Sequence, residues 1–174
     1  SQGAGLALTD GVTVTVSPAE ETTVQLNDVP VEMDAVETVL ETLRATARVE
    51  GETPLPVGSG FGVSGGMALG TALAANQAFD RHLSENELLT IAHGAEVQAG
   101  TGLGDVVAQA RGGIPIRLEP GGPQDNHMDG IPARTRVEYH TIGELPTEDV
   151  IAGDTGLLSQ AGKRALSLVV EDPT

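Results

Sequence analysis

The chain of 174 residues has no cysteine, which excludes disulfides, zinc–thiolate sites and thiol nucleophiles. Aromatic residues make up 2 %, with no tryptophan, one tyrosine and two phenylalanines. The core must therefore be built from Val, Leu, Ile and Ala, and stacking platforms for single-stranded nucleic acid are scarce. Basic residues are few as well: nine against 25 acidic ones, giving a net charge of −16, and Lys163 is the only lysine. That balance argues against DNA, RNA or an anionic membrane surface as a partner. No apolar run reaches the ~18 residues of a membrane-spanning helix. No signal-peptide pattern is visible in these residues, so a cytoplasmic location is the expectation.

What remains is a globular composition, 39 % hydrophobic, sized for one domain or two small ones. Acidic residues spread along the whole chain, with lysine almost absent, resemble the surfaces of proteins from salt-loving microbes. VTVTVSP (12–18) alternates β-branched residues and reads as a strand, as does TTVQL (22–26), and the short AEE turn between them predicts a hairpin. Asp34 and Glu37 spell a capping box ahead of Val36, Val39, Leu40 and Leu43 at helical spacing, predicting a helix over 34–47. A run of small apolar residues predicts a buried helix over about 64–79. Ser84 and Glu87 repeat the capping pattern and open a helix to about Gln98. GTGLGD (100–105) breaks it, and DVVAQA begins a short helix ending at Gly112-Gly113. IPIRLE, TRVEYH and ALSLVV are strand-like, while PGGPQDNHMDG (120–130) reads as a loop. The mixture implies an α+β fold.

Five of the eleven residues in PVGSGFGVSGG (56–66) are glycine, directly before the predicted buried helix. A flexible turn would need only one or two. Gly60, Gly62 and Gly65 also spell G-x-G-x-x-G, with Asp80 near the spacing of a ribose-binding acid, but AANQAFD continues a helical pattern where that fingerprint needs a strand. No Lys-Ser or Lys-Thr follows, which excludes a P-loop. The third reading is a phosphate cradle, in which glycines bring successive backbone N–H groups close to a polyphosphate and the helix turns the positive end of its dipole to the same spot. Ser59 and Ser64 would add hydroxyl donors or a magnesium ligand.

The stretch Pro56-Val57-Gly58-Ser59-Gly60-Phe61-Gly62-Val63-Ser64-Gly65-Gly66 resembles the second motif of the GHMP kinases, P-x-x-x-G-L-G-S-S-A-A. Phe61 replaces Leu, Val63 the first Ser, and Gly65-Gly66 the two alanines. The Ser-Gly-Gly ending, together with GAGLALTDGV, resembles the archaeal branch that phosphorylates pantoate on the route to coenzyme A. The resemblance implies a ribosomal protein S5 domain 2-like α+β fold, a mixed sheet with helices packed on one side. It implies ATP and Mg²⁺ as cofactors and a small-molecule substrate, pantoate foremost, with homoserine, shikimate or mevalonate as alternatives. In that family the loop (Pro56, Gly58 to Gly66) holds the ATP phosphates and the position of Ser64 serves magnesium. Members run longer and have further motifs toward each end, so residues 1–174 are expected to be an N-terminal domain incomplete at both ends, its C-terminal partner barely begun after about 150. Such a fragment is expected to be inactive alone. A homodimer is left open, and a nucleotide-binding module without transfer is a further alternative.

GTGLGDVVAQARGG (100–113) resembles the family segment in which S-G-x-D precedes a short helix, and that places the catalytic aspartate at Asp105. Taken without the glycine loop upstream, Asp105 reads as an N-cap of DVVAQA. Glu96, nine residues earlier, matches the magnesium-binding glutamate by resemblance, at a slightly shorter spacing, with an exposed helical glutamate as the alternative. His93 and Glu96 form H-x-x-E on one helix face without a third ligand. A carboxylate substrate calls for an arginine, and Arg111, Arg117, Arg134 and Arg136 are the candidates.

Overall fold

The computed structural model describes residues 2–133, 135–141 and 156–171. Two sheets form the frame. β1 (Gly3–Ala4), β6 (Ile114–Glu119) and β7 (His127–Ile131) make a three-stranded antiparallel sheet in the order β1-β6-β7. β2 (Thr13–Pro18), β3 (Thr23–Leu26), β4 (Val29–Pro30) and β5 (Ala47–Glu52) make a mixed sheet in the order β2-β5-β3-β4. The last part of the expected loop 120–130 is thus strand β7.

The expected hairpin between β2 and β3 does not form. β5 lies between them, antiparallel to β2 and parallel to β3, so that Val49 stands opposite both Val16 and Val24. The reason is burial: Ala47 and Val49 are each 0 % exposed, and a central strand covers them on both flanks where a hairpin edge could not. Helix α1 (Asp34–Thr42) stops short of the expected 34–47, which frees Ala47 to begin β5. Arg44 adopts φ +50°, and the Ala45 N–H returns to the Leu40 carbonyl at 2.9 Å. An arginine fills the left-handed exit usually given to glycine, so the stop carries no sequence mark. The expected capping box at Asp34 is also absent. Met33 is the N-cap without a side-chain bond, and Asp34 sits one residue inside, where its charge complements the helix dipole.

Helix α2 (Val63–Ala78) lies on β2, and α3 (Glu85–Ala99) starts with the expected box. The Ser84 hydroxyl accepts from the Glu87 N–H, and the Ser84 N–H donates to Glu87 Oε2 at 2.8 Å. Val36, Val39 and Leu40 of α1, Met67, Ala68 and Ala72 of α2, and Ala92 of α3 share one core with Val24, Leu26, Ala47 and Val49 of the mixed sheet. The helices therefore cover one side of that sheet, as expected. A short helix α4 (Asp105–Arg111) leads into β6. The strand-like ALSLVV is instead part of helix α5 (Gly156–Glu171), whose half-covered residues Leu166 and Val169 recur at helical spacing. TRVEYH (135–140) has no regular structure; Arg136 and Glu138 pair in solvent there.

The contact of α2 with β2 is set by two glycines one turn apart. A Cβ on Gly66 would stand 2.7 Å from Val12 Cγ2, and one on Gly70 would stand 2.5 Å from Val14 Cγ2. Gly70→Val should therefore overpack this contact and cost about 1–3 kcal/mol, read as a lower urea midpoint at unchanged slope. An unchanged midpoint would show that α2 can move away from the strand.

Among the described residues only two ion pairs occur, Arg48–Glu50 and Arg136–Glu138, both at the surface. Most carboxylates of the described residues are thus left to the solvent. Raising KCl from 0.1 M to 2 M should raise the melting temperature through screening. A flat or falling curve would refute self-repulsion as a limit on stability.

Candidate active site

The glycine loop turns through Gly58, Gly60 and Gly62 at φ values of +72°, +81° and +64°, a left-handed series that side-chain-bearing residues rarely adopt. Gly62 is the N-cap of α2 and no side chain caps that end. The N–H groups of a helix's first turn have no acceptor within the helix, so they are directed at whatever lies in front of it.

In front lies a cleft of about 810 Å³. Val57, Gly58, Gly60, Phe61, Gly62, Val63 and Ser64 form one wall, and Thr101, Leu103, Gly104, Asp105 and Arg117 form the other. Of the loop residues singled out by sequence, Pro56, Ser59, Gly65 and Gly66 do not line it. The Ser59 hydroxyl turns back to the Val57 carbonyl at 3.5 Å. Gly65 backs onto α4, where a Cβ would meet that of Asp105 at 3.3 Å.

Behind Ser64 lies Glu96, only 1 % exposed, so it is no surface glutamate. The Ser64 hydroxyl donates to Glu96 Oε1 at 2.5 Å, and the Thr101 hydroxyl donates to the same oxygen at 2.8 Å. Glu96 Oε2 is buried and has no partner. It points into a small space that Gly102 leaves open: a Cβ there would stand 2.3 Å from Glu96 Oε2 and 3.3 Å from Asp105 Oδ2. Two carboxylate oxygens thus stand close to Gly102, that of Glu96 in the place a side chain would take. Burial raises the pKa of Glu96 above its ordinary value; the two hydroxyl donors oppose this, and the charge of Asp105 adds to it.

Asp105 is the first residue of α4, with Gly104 at the N-cap and no side-chain cap bond, so capping does not occupy its carboxylate. It is open to the cleft, yet the walls crowd it enough for desolvation to raise its pKa, against the opposing pull of Arg117. Arg117 is 6 % exposed and donates to the carbonyls of Leu103 and Gly121, while its Nε lacks a partner. Of the other arginines, Arg111 lies beside Gly130 of β7 and Arg136 pairs with Glu138 in solvent, and Arg134 lies outside the described residues. His93 is buried with Nδ1 unpartnered, and burial, then the charge of Arg117, lowers its pKa.

Sequence reasoning passed over Thr101 and Gln109. Thr101 is brought to Glu96 because Gly100, at φ +73°, folds the chain back so that the Thr101 N–H donates to the Glu96 carbonyl at 3.1 Å. A glycine stop after Ala99 was the available signal. Gln109 donates from Nε2 to the Gly62 carbonyl at 2.8 Å, a contact across 47 residues with no local sign.

No cluster of three His, Asp or Glu side chains suited to a metal occurs among the described residues. The donor set is smaller and all oxygen: the Ser64 hydroxyl, the orphaned Glu96 Oε2 and Asp105 Oδ2. It fits a hard divalent cation that takes its remaining ligands from water and substrate oxygens.

A mixed sheet under three helices, with a glycine loop heading one of them and a carboxylate on a short helix opposite, defines the class as the N-terminal domain of a GHMP kinase. Residues 31–113 match the family model described as GHMP kinases N terminal domain, and the chain belongs to that family. It is 36 % identical to the pantoate kinase of Methanospirillum hungatei over 87 % of this chain and 55 % of that one. It is 32 % identical to the pantoate kinase of Methanocaldococcus jannaschii over 100 % of this chain and 66 % of that one. A solved structure described as a phosphotransferase related to the CoA biosynthesis pathway superposes with a TM-score of 0.78 at 29 % identity, covering 99 % of this chain and 61 % of its own. The chain spans between about half and two thirds of the length of these relatives.

Because the Glu96 pKa is raised in the folded protein, the fold binds that proton more tightly than the unfolded chain does. Stability should then fall as pH rises from the ordinary value of 4.5 through the higher folded value. Glu96→Gln keeps an acceptor for Ser64 and Thr101 and removes the charge facing Asp105. In chelator at pH 8 it should melt above the wild type, and the two should converge in acid. A variant that melts lower at pH 8 would mean that the buried charge is compensated.

Proposed function

We propose that the chain is the nucleotide-phosphate-binding part of an ATP- and Mg²⁺-dependent kinase that transfers the γ-phosphoryl group to pantoate, giving 4-phosphopantoate. The carrying observation is that Ser64 and Asp105 both line the cleft in front of the glycine loop, with Glu96 bonded to Ser64 behind it and its free oxygen beside Gly102, near Asp105. The two pantoate kinases and the superposed phosphotransferase support the choice of acceptor and a place in coenzyme A synthesis.

The loop amides and the start of α2 would bind the polyphosphate, with Gly58, Gly60 and Gly62 letting the backbone approach it. Ser64 and Glu96 would hold magnesium, with Asp105 beside them. Once bound, the ion supplies charge neutralisation on the phosphate oxygens and a template for in-line transfer. Asp105 would orient the acceptor hydroxyl and take its proton as the new phosphoester bond forms and ADP leaves. Its environment, which disfavours the bare anion, makes it a stronger base than a solvated aspartate. Arg117, held rigidly by two backbone carbonyls, would set the positive potential of the acceptor end and read the pantoate carboxylate. Among the described residues no helix is long and apolar enough to cross a membrane. Together with the charge of −16 and the single lysine, this fits our reading of a cytoplasmic enzyme from a salt-rich cell.

The test is ADP release by the complete protein in concentrated KCl with Mg-ATP, offered pantoate, homoserine, shikimate and mevalonate separately. Turnover is expected with pantoate alone; turnover with another acceptor would move the assignment within the family. Asp105→Asn should lower kcat by about 10²–10⁴-fold with ATP affinity nearly unchanged. Turnover near wild type in that variant would remove Asp105 from the chemistry.

A further inference from the structure

The short helix α4 presents two polar side chains one turn apart, Asp105 and Gln109, and residues four apart share a helix face. Asp105 faces the cleft. Gln109 reaches the glycine loop, its Nε2 donating to the Gly62 carbonyl at 2.8 Å. That carbonyl also accepts from the Gly66 N–H at 2.9 Å, so it is tied from two directions. α4 sits directly on the loop at this point. A Cβ on Gly62 would stand 2.7 Å from Gln109 Nε2 and 3.5 Å from Asp105 Cβ.

The Gly62 carbonyl belongs to the same planar trans peptide as the Val63 N–H, and the two point in opposite directions. Fixing the carbonyl therefore fixes the first amide of α2. Without the Gln109 bond, only the helical bond from the Gly66 N–H would hold this peptide, whose glycine backbone itself resists rotation little. Gln109 is itself exposed, so burial of its side chain does not account for the bond.

We infer that Gln109 is a positioning residue: through the Gly62 carbonyl it aims the Val63 N–H into the cleft and fixes the phosphate loop at a set distance from Asp105 on the same helix. The inference rests on the phosphate-cradle reading above. It makes α4 a single rigid part that carries both the acceptor-facing carboxylate and the register of the donor.

Two variants of the complete protein test it. Gln109→Met removes the donor at nearly constant length, and Gln109→Glu puts an oxygen against the Gly62 oxygen. Calorimetric titration with Mg-ATP and with magnesium tripolyphosphate should show about a three- to tenfold weaker affinity for the Met variant and a larger loss for the Glu variant. Both ligands should lose by a similar factor, since the effect acts on the polyphosphate. Melting temperatures should stay within a few degrees of wild type, and the ¹H–¹⁵N signal of Val63 should shift in both variants. Wild-type affinity in both variants would overturn the inference and leave the cradle reading intact. Affinity that falls only in step with melting temperature would make Gln109 a packing residue and also overturn it. A complete wild-type protein that binds neither ligand would overturn the cradle reading and the inference together.

Discussion

Helix α2 has almost no side-chain spacer between itself and three of its neighbours. Gly66 and Gly70 place it against Val12 and Val14, and Gly51 of β5 leaves room for Met67, whose sulfur would lie 2.2 Å from a Cβ there. Gly62 and Gly65 place it against α4. Glycine inside a helix costs about 0.5–1 kcal/mol relative to alanine. Here that cost is offset by the complete burial of Met67, Ala68, Thr71, Ala72 and Ala75. The close fit also carries the functional geometry. With its body wedged between strand and helix, the first turn of α2 has one possible position, and the loop before it delivers its amides there. The candidate site is thus set by how near two backbones can come.

The same closeness forces a second feature. Packing α3 and α4 around the start of α2 buries Glu96 and brings its free oxygen toward Asp105, leaving two carboxylates with raised pKa values close to the gap at Gly102. Nothing in folding alone favours this. An apolar side chain at 96 would remove an unsatisfied buried atom, and a residue larger than Gly102 would close the gap. An arrangement that keeps both, at a cost to the fold's own stability, is what the proposed cation site would call for.

The parts legible in the sequence were local ones. The glycine loop, the apolar run of α2, the Ser84–Glu87 box and Asp105 ahead of a short helix are each decided by residues within a turn or two of one another. What escaped reading depends on distant contacts or unmarked stops. Arg44 ends α1 in a conformation that its chemistry does not advertise, and β5, of which the predicted helix took only Ala47, was not read as a strand at all. Once β5 was hidden, β2 and β3 read as neighbours. α5 was mistaken because Leu-Ser-Leu alternates over three residues while the helical period shows only across its whole length. In the site, Arg117 could not be picked from four arginines, since what distinguishes it is the pair of carbonyls from Leu103 and Gly121 that hold it. Gln109 had no motif, and only its 47-residue reach gives it meaning.

A chain of net charge −16 is a poor host for a polyanion unless positive potential is concentrated where the ligand sits. On the proposed phosphate-cradle reading, the structure would concentrate it with very few cations. Lys163 lies on the exposed face of α5, and most arginines are at the surface. The cleft relies instead on backbone amides, the dipole of a 16-residue helix and one buried guanidinium, none of which can be titrated away near neutral pH. These sources are short-ranged. The surrounding carboxylates act at long range and oppose the approach of an anionic ligand at low ionic strength. Salt screens the second effect far more than the first, since the cleft groups act within hydrogen-bonding distance. Concentrated salt therefore favours such a site twice over, by easing the crowding of surface charge and by letting the local field of the loop decide what binds.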